Sequence, residues 1–133
     1  MAADRGVSRG GEAVKEILSV AKALSDENRL RILMMLSEAE ACVCQIIELI
    51  GIAPSTVSKH LAILRGAGFI DSYKQGRWIY YHLERSPSAA VRGALDWTVD
   101  CLQDHEAIRD DRQKGRTICQ QDPELLARAQ RER

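Results

Sequence analysis

From Ile46 to Tyr81 the chain reads IIELIGIAPSTVSKHLAILRGAGFIDSYKQGRWIYY, and this stretch limits the fold more than any other. A short apolar segment stops at Gly51, a residue suited to the left-handed turn that closes a helix. A second helical segment opens at Pro54, where a missing N–H loses nothing, and stops near Gly66 and Gly68. Two strand-like runs follow, FIDSY and RWIYYHL, around a polar turn at Lys74-Gln75-Gly76-Arg77. Helix, turn, helix and β-hairpin in that order predict a winged helix-turn-helix, a plan that reads DNA.

The flanks complete a mainly α (α+β) domain with about five helices and a two-stranded β-hairpin wing. Residues 1–11 hold three glycines and no apolar pattern, and are expected to form a disordered arm. Val14, Ile17, Leu18, Ala21 and Leu24 recur at helical spacing and predict a first helix over 12–24. Ser25 or Asp26 caps a second, over about 27–37, which is apolar on most sides and therefore central. A third begins near Glu40 or Ala41 and buries Val43, Ile46, Ile47 and Ile50. The fourth, from Pro54 to about Ala67, buries Val57, Leu61 and Leu64, and the hairpin occupies 69–83. A fifth helix is expected over 88–108, with Val91, Leu95, Thr98, Val99 and Leu102 on one side. Residues 12–108 thus form one domain, and 109–133 a charged tail with a last helix from Pro123 to Arg131.

A helix that reads DNA buries one face and presents small polar groups and bases on the other. Ser55, Thr56, Ser58 and Lys59 meet that demand on the first turns of the fourth helix, the end that enters a major groove. Lys74 and Arg77 at the hairpin tip reach an adjacent groove or backbone. His60 borders the buried stripe and suits either a phosphate contact or a hydrogen-bonded packing role. Basic and acidic residues balance at 19 each, which excludes a chain that coats nucleic acid by charge alone. Between Gly51 and Arg85, however, five bases face two acids. A local positive face on a neutral chain suits a sequence-specific binder. No apolar run reaches bilayer-spanning length and the first residues lack the apolar centre of a signal peptide, so no membrane partner and a cytoplasmic location are expected.

Cys42, Val43 and Cys44 form a CxC. In a regular helix, residues two apart point ~200° from each other, so both cysteines would flank the Val43 stripe on opposite sides, each ~100° away. Two thiols outside a packed stripe point to a soft-ion site. On that geometry one ion could not hold both sulfurs without distorting the first turn of the third helix, and this distortion would misplace Ser55 to Lys59. The spacing is not the CxxC of a dithiol oxidoreductase, no βαβ pattern surrounds it, and no nucleophile–base pair or phosphate loop occurs. The chain is not expected to be an enzyme.

The run ALSDENRLRILMMLSEAEACVCQIIELIGIAPSTVSKHLAILRGAGFIDSYKQGRWIYYHL resembles the ArsR/SmtB family of metal-responsive bacterial repressors over residues 21–83, through LxxxxRLRIL, STVSKHLxxLRxAGxI and the GRxxYY wing. The resemblance implies a homodimer built from the first and fifth helices, seated on an inverted-repeat double-stranded operator and released by an inducer. It also implies Cys42 and Cys44 as ligands of As(III) or Sb(III), with Cd, Pb or Zn as alternative inducers. Two departures matter. Ile47 stands where arsenite sensors of this type often place a third cysteine, and the N-terminal arm has none of the cysteines of the cadmium/lead branch. A third sulfur then comes from Cys101 or Cys119, or is absent. The zinc branch's site on the fifth helix needs a second histidine that Asp104-His105-Glu106 lacks, so that cluster is expected to be solvated surface. A thiol redox sensor of the same fold is the other alternative.

Overall fold

The computed structural model describes residues 9–133. Seven helices and three short strands follow in the order α1 (Arg9–Leu24), α2 (Glu27–Glu38), β1 (Ala41–Cys42), α3 (Val43–Ile50), α4 (Pro54–Gly66), β2 (Ile70–Gln75), β3 (Trp78–Leu83), α5 (Ala89–Leu102), α6 (Glu106–Cys119) and α7 (Pro123–Arg131). Of the arm expected over 1–11, residues 1–8 lie outside the described residues, and 9–11 open α1. No single helix among the described residues is long and apolar enough to cross a bilayer.

Helix α2 is the centre. Asp26 starts it, its Oδ2 accepting from the backbone N–H of Asn28 at 2.9 Å and of Arg29 at 3.2 Å. Ile32, Leu33, Met34, Met35 and Leu36 are buried, so the helix is covered almost all round. Val57, Leu61 and Leu64 of α4, Phe69 and Ile70 pack into the same core. Asp26→Ala is expected to cost about 1 kcal/mol through the two lost cap bonds, measurable by urea unfolding of the whole chain.

The β-hairpin has the predicted position. Gln75 pairs with Trp78 and Ile70 with Leu83, leaving a two-residue turn in which Gly76 takes φ 64°. The sheet differs from the expected two-stranded wing, because Ala41 and Cys42 add a third strand in the order β1-β3-β2. Ala41 pairs with Tyr81 and Cys42 with Tyr80. Two residues are too few for an alternating pattern to mark a strand.

The helix count also departs from about five. The fifth helix ends at Leu102 rather than 108, and the expected tail carries α6 as well as α7. His105 ends the gap between α5 and α6 as the cap of α6, its Nδ1 accepting from the Ala107 N–H at 3.2 Å. Ile118 of α6 and Leu126 of α7 join the core. Arg31 of α2 holds α6 in place. Its Nε donates to Asp111 Oδ2 at 2.8 Å and its Nη2 to Asp111 Oδ1 at 3.1 Å. The same guanidinium donates to the Leu49 and Ile50 carbonyls, so α2, α6 and the C-terminus of α3 meet at one side chain.

Candidate functional site

Helices α3 and α4 turn through 112° at the residues between them. Gly51, at φ 76°, closes α3 with its N–H donating to the Ile47 carbonyl at 3.0 Å. Pro54 then opens α4, and Val57, Leu61 and Leu64 fix its inner face. With that face buried, Ser55, Thr56, Ser58 and Lys59 stand exposed on the first two turns. Four small or basic groups at a helix N-terminus form a surface suited to phosphates and base edges.

His60 lies apart from that surface. It is half-buried, and its Nδ1 accepts from Arg29 Nη1 at 2.9 Å. Arginine only donates, so the ring proton sits on Nε2, which is 3.7 Å from Asp26 Oδ2. Arg29 also donates to the carbonyls of Ala23 and Lys22. His60 therefore ties α4 to the corner between α1 and α2. At the wing tip Lys74 and Arg77 are both exposed. The Arg77 guanidinium lies 5.2 Å from the Trp78 ring centre and pairs with Glu124 of α7.

The cysteine pair differs from its helical expectation. Cys42 is not in the helix. It is the extended cap residue of α3, at φ −70° and ψ 149°, and its backbone is held in the sheet by Tyr80. Its N–H donates to Gln45 Oε1 at 2.8 Å. The ~200° rule does not apply across a strand-to-helix junction, and the two sulfurs are neighbours: the Cys44 thiol donates to Cys42 Sγ at 3.2 Å. Both are sealed, Cys42 at 0% and Cys44 at 3% exposure. The expected flanking positions, and the helix distortion built on them, are thus overturned. The buried side of α3 is Cys44, Gln45, Ile46, Leu49 and Ile50, while Val43 and Ile47 are half-buried. This face shifted because α6 and α7 both pack against α3.

Burial, reinforced by the adjacent Cys42 thiol, pushes the Cys44 thiol up to about 12, so it keeps its proton at neutral pH. Burial and then the two cysteines likewise raise the Tyr80 phenol. Cys44 is therefore a neutral thiol held against Cys42 in a sealed pocket.

Helix α7 lies along this centre. Gln130 Nε2 donates to the Cys44 carbonyl at 2.9 Å and to Glu48 Oε1 at 3.2 Å. Arg133 donates to both Glu48 oxygens, at 2.9 and 3.1 Å. The sequence reading missed these residues; its one signal was the helix expected at 123–131. Cys101 and Cys119 are exposed, and among the described residues no three His, Cys, Asp or Glu side chains converge as a metal site. Neither distal cysteine joins the pair, and Asp104-His105-Glu106 forms no ligand set.

The family described as bacterial regulatory protein, arsR family, matches residues 26–72. The arsenic resistance transcriptional regulator ArsR1 of Pseudomonas putida is 34% identical, over 71% of this chain and 77% of its own length. The cadmium resistance transcriptional regulatory protein CadC of Listeria innocua is 44% identical, over 47% of this chain and 54% of its own. Among solved structures, the homodimeric winged helix-turn-helix DNA-binding domain Mb0332 of Mycobacterium bovis superposes with a TM-score of 0.61 at 25% identity, over 73% of this chain and 87% of that one.

Proposed function

This chain belongs to the arsR family of bacterial regulatory proteins, and on that premise we propose that it is a metal-responsive transcriptional repressor whose inducer is As(III) or Sb(III), held by Cys42 and Cys44. The buried thiol pair at 3.2 Å carries this reading. Tetrahedral zinc sites ask for four ligands, or three and a water, with bonds of about 2.3 Å to sulfur. Two sulfurs on such an ion sit about 3.8 Å apart, and no third donor converges on the pair among the described residues. A trivalent metalloid has a pyramidal shell that two thiols and a retained hydroxyl complete, so the donor set fits it. The protonated Cys44 thiol also suits a neutral acid such as As(OH)3, whose hydroxyl can carry that proton off as water, better than a dication that must expel it. Cadmium is the second reading, from the cadmium regulator among the relatives.

Cys42 and Cys44 would hold the metalloid, each thiol exchanging its proton for a bond to arsenic as one arsenic hydroxyl leaves as water. The sealed pocket must then house the remaining hydroxyl. Cys42 is tied to Tyr80 in the wing, and Cys44 lies in the first turn of the helix that leads through Gly51 to α4. Accommodation therefore shifts the wing and the reading helix relative to each other. A coupling of about 1–3 kcal/mol suffices for release. Loss of a fluorescent operator complex on adding arsenite, followed by anisotropy, tests the reading; indifference to arsenite and antimonite would sink it.

Ser55, Thr56, Ser58 and Lys59 present the reading surface, Lys74 and Arg77 the wing contacts, and His60 positions α4. Lys59→Ala is expected to weaken binding about uniformly across operator sequences and to reduce the salt slope by about one; an unchanged slope would remove Lys59 from the phosphate contacts. The dimer follows from exposed apolar groups that a lone chain would leave in water: Val14, Ile17 and Leu18 of α1 at 57–63%, and Trp97 of α5 at 65%. Two reading helices on a two-fold axis match an inverted repeat.

A further inference from the structure

A cavity of about 200 Å³ lies between α2, α3 and α6. Met35, Leu49 and Ile108 give it apolar walls. Three of its features are unfavourable for a closed helical interface that holds nothing. The space is unfilled. Gly115 sits buried in the middle of α6, where a Cβ would meet no atom within 4 Å, although alanine is the better helix former. Arg112 Nε is buried and has no hydrogen-bond partner among the described residues.

The charges around the opening are equally specific. Arg112 Nε is 3.6 Å from Glu38 Oε2, Arg116 Nη2 is 3.8 Å from Glu38 Oε1, and Arg112 Nη1 donates to the Gln103 carbonyl at 3.4 Å. Two guanidiniums thus share one carboxylate at long range. Asp111, the other acid at the cavity, is taken by Arg31. With Asp111 held by Arg31, Glu38 is the one lining acid left to face both Arg112 and Arg116.

We infer that this cavity binds a small organic monoacid, with a compact apolar body of about one aromatic ring against Met35, Leu49 and Ile108 and its carboxylate on Arg112 and Arg116. An empty apolar cavity of about 150 Å³ accepts benzene, so a ring with a carboxylate matches the space. Binding is read on the protein alone, so the outcome does not depend on the metalloid reading.

Benzoate is the probe and benzamide its uncharged counterpart, followed by ligand-observed NMR and by thermal melting of the full chain. Benzoate is expected to bind with a Kd on the order of 1 mM and to raise the melting temperature. Benzamide is expected to bind at least ~10-fold more weakly. Arg112→Gln should weaken benzoate by a similar factor. Gly115→Leu, which fills the cavity, should abolish binding while melting no lower than the parent. Should Gly115→Leu fail to fold, the Arg112→Gln and benzamide comparisons decide. Absence of benzoate binding at ~10 mM, equal binding of benzamide, or unchanged binding in a folded Gly115→Leu protein would each overturn the proposal.

Discussion

Cys42→Ser with Cys44→Ser is expected to leave operator affinity within about twofold of the parent and to abolish inducer response, where the parent loses roughly 5- to 150-fold in affinity. Serine hydroxyls can repeat the contact now made by the Cys44 thiol on Cys42 Sγ. The fold should therefore survive with a loss of roughly 1–3 kcal/mol per imperfectly bonded hydroxyl. If melting shows that the serine pair is not folded, the alanine pair replaces it. Anisotropy of a labelled operator, titrated with arsenite, antimonite, cadmium, lead and zinc in turn, gives the result. Release of the double variant by arsenite would dismiss Cys42 and Cys44 as the sensor.

The pH dependence of the same titration separates the inducers. Cys44 is protonated at neutral pH because burial lifts it to about 12. A dication that binds the thiolate must displace that proton, so its apparent affinity rises as pH rises, about tenfold per unit for each proton released. As(OH)3 discharges the thiol protons as water with no net proton release, so its apparent affinity stays flat across neutral pH. A steep rise for arsenite would contradict the dithiol condensation, and a flat response to cadmium would place cadmium elsewhere.

The second large effect concerns access. Leu126→Ala with Gln130→Ala is expected to raise the rate at which Cys42 and Cys44 react with a thiol reagent by roughly one to three orders of magnitude. Leu126 is buried in the core and Gln130 holds the Cys44 carbonyl, so together they dock α7 on α3. Removing a buried leucine costs about 2–5 kcal/mol. When reaction proceeds through local opening, that loss multiplies the open population directly. Peptide mapping by mass spectrometry separates these two thiols from the exposed Cys101 and Cys119. A rate unchanged at Cys42 and Cys44 would mean that α7 is not what closes the site.

Much of this architecture was legible in the chain because local rules carry it. Gly51, Pro54 and Gly76 punctuate the motif at positions where their own backbone preferences apply, and α3, α4 and the hairpin lie where those residues put them. Val57, Leu61 and Leu64 are the buried stripe of α4, as their spacing required, and that alone exposes Ser55, Thr56, Ser58 and Lys59. Helix α6 was hidden for a physical reason. Its inner positions are Ile108, Asp111, Gly115 and Ile118, at helical spacing but with an acid and a glycine where an apolar stripe would show. Asp111 is tolerated there only because Arg31, eighty residues earlier, meets it.

The amino-acid order by itself determined the reading motif, its exposed polar face and the presence of two thiols with one residue between them. Tertiary structure alone decided that those thiols touch. Pairing with Tyr80 of β3 draws Cys42 into an extended backbone, so the junction with α3 turns both thiols to the same side. A strand is defined by its distant partner, and burial by whatever covers it. Neither the two-residue β1 nor the cover supplied by α6 and α7 is therefore written in the residues around the cysteines.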